Sequence, residues 1–477
     1  MLNIFTKLFD DLRLRDVVYC NWKGHFFIDR HLNGDGDVDL FVPVRYRADF
    51  EKVAKKNGFV NVKSYQAHHE FIEHYYGYDS DSQKFAHLHV YFKIVTGESV
   101  SKNYLLPIDT FVENGIEDKS SLPTMNSSSR RAIFLVRHFL KIGSAYGIFQ
   151  YWREKDKYDL EWRSFVEFTG YEDIEEIDMT AKELDELDSI FCHSSAVMRV
   201  LSSVRFKRAM RDFRRRNFLK HQYYILCNLL VRVKNRVITK RKKLIYPGLA
   251  IAICGLDGTG KSSLVSSLTR HYSQHFSVKN LHLGRPSTTK VSLIFKPILF
   301  LRSEILKFMV GQVKGSKLTS SGSKISMLYA IRSVLLAYDR LAESDKAHML
   351  SKKGYLVICD RYPGLTVGKM DSPRIKIDSS RGVIYKILYK IEQDLYKSIK
   401  PVDMLFRLQA PLEVAIERNN LRDKRGKETD EELEERFLIN SGVSFSSLRD
   451  IDVDATDSLG TVFSIVSDKI WFQGICK

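Results

Sequence analysis

Leu249-Ala250-Ile251-Ala252-Ile253-Cys254-Gly255-Leu256-Asp257-Gly258-Thr259-Gly260-Lys261-Ser262-Ser263 decides the fold. Its first six residues form a continuous apolar run of strand length, and Leu264, Val265 and Leu268 open a helical apolar pattern behind it. Between them the residues read GxxxxGK[ST]. Strand, glycine-rich turn and helix in that order make a phosphate cradle. Gly255, Gly258 and Gly260 let backbone N–H groups turn inward with no Cβ in the way, and the helix N-terminus adds partial positive charge. Thr259 and Ser263 complete the nucleotide-binding set. Lys261 reaches the outer phosphates and Ser262 offers a hydroxyl to Mg²⁺.

A second buried-strand pattern, Gly354-Tyr355-Leu356-Val357-Ile358-Cys359, ends in Asp360-Arg361-Tyr362. An acid at the end of a parallel strand beside the phosphate loop is placed to hold Mg²⁺. Arg361 offers a fork to a second phosphate. The alternative is that Asp360 and Arg361 are structural ion-pair partners.

From about 249 to 445 the chain resembles the thymidylate kinase family of phosphate-loop (P-loop) kinases. The loop with its Asp257, the Asp360-Arg361-Tyr362 triplet, Tyr338-Asp339-Arg340 before it, and the runs 401–408 and 413–418 after it carry the resemblance. It implies an α/β fold with a parallel sheet flanked by helices, with ATP and Mg²⁺ as cofactors. It implies that Asp257 faces an acceptor hydroxyl, Arg361 holds an acceptor phosphate, Arg340 lies on the substrate side and Arg418 flanks the adenine. A lid over 419–430 would carry Arg422, Lys424, Arg425 and Lys427, of which Arg422 and Arg425 are the catalytic candidates. Such cations stabilise charge on the phosphoryl group in flight.

The departures fall on the acceptor side. After Tyr362 the family shows a Tyr-Gln stretch that reads thymine. Here the chain runs Pro363-Gly364-Leu365-Thr366-Val367-Gly368-Lys369-Met370-Asp371. Residues 291–310 read either as an amphipathic core helix broken near Pro297 or as a membrane-surface helix, and 311–324 as a Gly/Ser/Lys-rich loop.

The N-terminal half carries its own pattern. Gly34-Asp35-Gly36-Asp37-Val38-Asp39-Leu40-Phe41 is a glycine-rich turn running into DxD on an apolar strand. Alternate strand residues share a face, so Asp37 and Asp39 can share a metal ion. Over 15–110 this resembles the minimal nucleotidyltransferases of the DNA polymerase β superfamily, which implies a small mixed sheet. That superfamily supplies a third carboxylate from a later strand. The candidate strand 86–92 offers His87 and His89 instead, so a histidine stands in, or Asp109 does, or the domain binds without catalysing. Residues 126–204 read as a helical extension.

The chain has 477 residues, a net charge of +17 and 44% hydrophobic residues, which fits several globular domains and excludes a disordered tail. Residues 205–243 hold 15 Lys/Arg and one acid, so most of the surplus sits there. With Tyr246-Pro247-Gly248 as punctuation, the expected division is 1–125, 126–204, a basic helical connector 205–245, and 246–477. Residues 171–189 read as an acidic surface helix. No apolar run is long enough to span a membrane, the first 16 residues lack the apolar core of a signal peptide, and the six cysteines match no zinc spacing. A cytoplasmic protein is expected, peripheral at the inner membrane face as a variant.

Three functions stay open. The first is an ATP-dependent kinase passing the γ-phosphate to a nucleoside monophosphate or similar phosphorylated acceptor. The second is the same chemistry on a sugar or glycan intermediate at an anionic membrane met by 205–243. The third is a nucleic-acid-binding protein with a nucleotide-dependent switch. A homodimer is a further partner expectation.

Overall fold

The structure is a computed structural model. It describes the chain except residues 64–68, 119–120, 143, 166–167, 239–240, 246, 295–326, 378–381, 421–428 and 441. The chain forms two compact units, Met1–Lys242 and Lys243–Ile475. The stretch 205–242, read above as a connector, belongs to the first of them.

The first unit begins with α1 (Asn3–Arg13), whose Ile4, Phe5, Leu8, Phe9 and Leu12 are buried at helical spacing. The strands are β1 (Cys20–Asn21), β2 (Asp37–Phe41), β3 (Val60–Lys63), β4 (Ile72–Asp79), β5 (Lys84–Tyr91), β6 (Ile94–Thr96), β7 (Tyr104–Leu106), β8 (Ile116–Glu117) and β9 (Thr124–Met125), with α2 (Arg47–Lys56) between β2 and β3. Within the unit the main sheet runs β3-β4-β5-β2-β1-β9-β8, and β6 and β7 pair separately. It is mixed: β2 lies parallel to β5, while β1, on the other side of β2, is antiparallel. α1 and α2 cover one face through Phe5, Phe9, Phe50 and Val53, packed on Val38, Leu40 and Leu88.

Helices α3 (Ser127–Ile142), α4 (Ala145–Arg163), α5 (Ala181–His193), α6 (Ala196–Ala209) and α7 (Phe218–Ile238) follow. α3 is buried almost all round, as its central apolar run 132–136 demands. The acidic stretch begins its helix later than read, at Ala181, behind a Thr180–Glu183 capping box. Its Asp188 pairs with Arg131 of α3, at 2.7 Å. The basic stretch is held through the β6–β7 connection: Lys207 meets Glu98 at 2.8 Å, and Asn228 donates to the Val100 carbonyl.

The second unit contains β10 (Leu249–Gly255), α8 (Lys261–Ser273), β11 (Val278–His282), α9 (Met327–Lys352), β12 (Leu356–Asp360), α10 (Val383–Lys397), β13 (Met404–Gln409), α11 (Leu412–Asn420), α12 (Asp430–Asn440), β14 (Asp450–Asp454) and α13 (Leu459–Asp468). Its five-stranded sheet has the order β11-β12-β10-β13-β14, parallel throughout. β10 and β12 are buried on both faces, which explains their apolar runs, while β13 is buried except at Arg407 and Gln409. The fold is therefore α/β, with a parallel sheet flanked by helices. The reversal of strand order at β10 puts the carboxyl ends of β10 and β12 beside one crevice. The readings of 295–310 and 311–324 lie outside the described residues. No helix among the described residues is long and apolar enough to cross a membrane.

Candidate functional site

The phosphate loop joins β10 to α8. Gly255 and Gly258 have φ of +150° and +89°, and a Cβ on either would meet a backbone carbonyl at 2.6 Å, that of Leu408 or of Ala415. Glycine is required at both for backbone and spatial reasons. Gly260, also at positive φ, caps α8. Lys261 opens that helix and is buried, its ammonium donating to the Leu256 carbonyl.

Three cations converge on Asp257. Arg361 Nη2 lies 2.9 Å from Oδ1, Lys261 Nζ lies 3.4 Å from Oδ1, and Arg436 Nη2 lies 2.7 Å from Oδ2. Burial opposes charge on Asp257, but these neighbours overcome it and hold the carboxyl below its ordinary range. Burial pushes the Lys261 ammonium down despite Asp257. Arg361 also meets Asp371 Oδ2 at 3.3 Å and sits at φ +67°, a conformation that a long side chain adopts only when its surroundings impose it. These groups, with Lys369 and Arg374, line a polar cavity of about 690 Å³. A second cavity of about 260 Å³ lies over Gly258, Thr259, Gly260 and Ser263. Arg418 lines it and ties down the following loop through the carbonyls of Thr456 and Asp457, at 3.0 and 3.2 Å.

Ser262 and Asp360 meet across the first cavity, with Oγ donating to Oδ2 at 3.5 Å. Asp360 Oδ1 is buried without a hydrogen-bond partner. A carboxylate oxygen in that condition, beside a hydroxyl and a phosphate loop, fits a hard divalent cation. Ser262 and Asp360 would hold Mg²⁺ there.

Arg340, expected on the substrate side, sits directly behind the cavity wall, where it donates to the Gly284 carbonyl and to Asp371. It does not line the cavity. It is fully buried, donates to the Leu283 carbonyl at 3.1 Å and to Tyr396, and meets Asp371 Oδ1 at 2.7 Å. It thus anchors Asp371, which in turn holds Arg361. Arg436, on α12, was not singled out from the sequence. Its only signal was a basic residue on a helix following the lid. Arg422 and Arg425 lie outside the described residues.

In the first unit, β2 and β5 pair in register, with Asp39 opposite His89 and Asp37 opposite His87. Asp37, Asp39 and His89 bring ligand atoms within 4.8 Å of one another. Asp109 takes no part. The set fits Mg²⁺ poorly: an imidazole replaces an oxygen ligand, and Lys23 Nζ already sits 2.8 Å from Asp39 Oδ1. Burial opposes charge on Asp39, yet Lys23 and His89 (Nδ1 at 3.0 Å) hold its carboxyl far below the ordinary range.

No protein-family model matches the chain. The uncharacterized ATP-binding protein YghR of Escherichia coli K12 is 27% identical over 217 residues, covering 44% of this chain and 81% of that protein. The uncharacterized ATP-binding protein YghS of the same strain is 26% identical over 220 residues, covering 44% and 86%. A thymidylate kinase structure from Candida albicans overlaps 48% of this chain and 94% of its own, with 18% identity and a TM-score of 0.28. A gluconokinase structure from Sinorhizobium meliloti overlaps 48% and 98%, with 14% identity and a TM-score of 0.22. Both overlaps are too loose to bear on function.

Proposed function

We propose that the second unit is an ATP- and Mg²⁺-dependent kinase that moves the γ-phosphate of ATP to a phosphorylated small acceptor, of which a nucleoside monophosphate is the first candidate. One observation carries this reading: Lys261, Arg361 and Arg436 converge on Asp257 at the mouth of a phosphate loop. The cations can neutralise two phosphate groups brought face to face, and Asp257 can accept the proton or orient the hydroxyl of an acceptor. The name of the YghR and YghS proteins, ATP-binding, supports the donor. Arg418 would border the adenine, and Arg422 and Arg425 would supply charge to the phosphoryl group in flight.

A second acceptor class, a sugar or glycan intermediate at a membrane, is favoured by α7. Leu219, Tyr223, Leu226, Leu230 and Val233 are all exposed at alternating four- and three-residue spacing, with Lys220, Arg232 and Lys234 interspersed.

The test is ADP release by the full chain with ATP, Mg²⁺ and a panel of nucleoside monophosphates, hexose phosphates and free sugars, beside Lys261→Met. Acceptor-dependent ADP release absent from Lys261→Met is expected. ADP release no greater than that of Lys261→Met with every acceptor would sink the kinase reading.

A further inference from the structure

The first unit contains a cavity of about 280 Å³ that the kinase reading leaves unused. Its floor is β2 and β5, through Asp37, His89 and Tyr91. Its walls are cationic: Lys23 after β1, Lys102 before β7, Arg137 and Lys141 of α3, and Arg232 of α7. Asp37 is the one carboxylate among the lining residues.

The partners of these cations show the imbalance. Lys23 pairs with Asp39 at 2.8 Å, and Arg137 with Glu161 at 3.3 Å. Lys102 and Lys141 have no carboxylate partner among the described residues. Lys23 and Lys102 both donate to the same phenol oxygen, that of Tyr91, at 2.8 and 2.7 Å. Two lysine heads are thus drawn to one neutral atom, and burial, then the Lys23 charge, push the Lys102 ammonium well below its ordinary range. Lys102 adopts φ +42°, so the backbone is also held in a costly conformation there. Burial, then the Arg137 charge, pushes the Lys141 ammonium down to about 8. Cations packed inward in excess of the acids beside them are unfavourable unless a counter-charge joins them.

We propose that this cavity is a metal-independent binding site for a small phosphorylated ligand, a phosphate monoester or diphosphate, clasped by Lys23, Lys102 and Lys141 with Arg137 and Arg232 behind them. The charge surplus calls for an anion with at least two charges, which phosphate supplies and a single carboxylate does not. The volume suits a small molecule and excludes a chain. Asp39, already engaged by Lys23 and His89, is spoken for without a metal. The site is independent of the kinase reading, since it lies wholly within residues 22–232.

Calorimetry in EDTA on the full chain tests it, with orthophosphate, pyrophosphate, a hexose phosphate and AMP as probes. At least one probe should bind saturably, unchanged in Lys261→Met and at least tenfold weaker in both Lys102→Met and Lys141→Met. Orthophosphate or pyrophosphate as tightest probe marks a free-anion site, and an ester as tightest probe marks a metabolite site; either supports the proposal. Both Met variants remove an unpaired cation, so their unliganded melting temperatures should match or exceed the parent's. Should one fail to fold, the other carries the test. Binding lost in Lys261→Met but kept in the Met variants would assign the anion to the phosphate loop. Saturable binding by no probe, or binding only after a divalent cation is restored, would equally overturn the proposal.

Discussion

Arg361 Nη2 lies 2.9 Å from Asp257 Oδ1, which joins the residue after β12 to the middle of the phosphate loop. In the proposed kinase reading, the pair would couple the acceptor side of the crevice to the donor side. Arg361 is the only described residue that touches both Asp257 and Asp371 by ion pairs.

From that bridge, Arg361→Lys should act on the acceptor more than on ATP. Lysine keeps the charge but cannot reach two carboxylates and a phosphate with one planar fork. We expect kcat/KM for the acceptor to fall by about 10²–10³, the range for losing one well-placed donor, with KM for ATP within about threefold of the parent by the same reasoning. Steady-state kinetics with each substrate varied in turn will show it. Equal damage to both KM values would assign Arg361 to the donor side.

Gly258→Ala should abolish turnover while leaving the first unit folded. The added Cβ would meet the Ala415 carbonyl at 2.6 Å, and φ is +89°, so both the loop and α11 must shift. The loss should appear as failure to bind nucleotide rather than as a slower chemical step. Equilibrium binding of a fluorescent ATP analogue distinguishes the two, and near-normal affinity would contradict the argument.

What could be read from the chain beforehand follows from distance in sequence. The phosphate cradle is local: strand, loop and helix lie within 25 residues, so apolar periodicity and glycine spacing disclose it. The Asp360-Arg361 pair is local too, and its pairing with β10 follows from two buried parallel strands. Arg436 and Asp257 are 179 residues apart and meet only because α12 returns over the loop. The same holds in the first unit. The DxD strand was legible, and a histidine of strand 86–92 is one of the stand-ins it offers; the β2–β5 register selects His89, whereas Lys102, Lys141 and Arg232 come from three separate elements. A lone lysine carries no periodic signal, so its convergence with others cannot be seen before the fold is known. Arg340 is an intermediate case: the resemblance puts it on the substrate side, and only the fold shows that it is fully buried and supports Asp371.

Arg340→Met should therefore destabilise the second unit. It removes the fully buried Arg340 and leaves Asp371 to pair with Arg361 alone among the described residues, and removing one partner of a buried pair costs about 3–5 kcal/mol. Arg340→Lys should rescue little, because the Leu283 carbonyl, Tyr396 and Asp371 are met by different nitrogens of one guanidinium. Urea unfolding of the three proteins provides the check. A lysine variant as stable as the parent would mean that only the charge matters.

His138 should make the first unit acid-sensitive. It sits on α3 among Phe134, Tyr151, Tyr158 and Phe191, with both ring nitrogens buried and without hydrogen-bond partners. Burial, then Lys141, Arg199 and Arg137, push the imidazole down to about 3. Its unfolded value is about 6.5. Between those values the unfolded chain binds the extra proton, so stability is whole above about pH 6.5 and falls as pH drops toward 3. At pH 5 the loss should be about 2 kcal/mol. His138→Leu should remove that part of the acid dependence, measured as urea midpoints at pH 7.5 and 5.0. An unchanged difference between the two pH values in the variant would place the sensitivity elsewhere.

Asp360→Asn should shift the Mg²⁺ dependence of turnover more than nucleotide affinity. Asp360 ends β12 with Oδ1 buried and without a partner, while Oδ2 accepts from Ser262 at 3.5 Å. An amide is nearly isosteric with the carboxylate, so the β10–β12 register and the Arg361 backbone bond to the Ile253 carbonyl, at 3.0 Å, should survive. The charge is what is lost, and a neutral oxygen is a poor ligand for a hard dication. The Mg²⁺ concentration for half-maximal turnover should rise by at least about tenfold, the lower range for losing a supporting group at a metal site. Binding of ATP in EDTA should stay within about twofold, since Lys261 and the loop amides make those contacts without Asp360. Titrating Mg²⁺ at saturating ATP separates these effects. A parallel loss of metal-free nucleotide affinity would show that Asp360 shapes the loop, and an unchanged Mg²⁺ midpoint would remove it from the metal site.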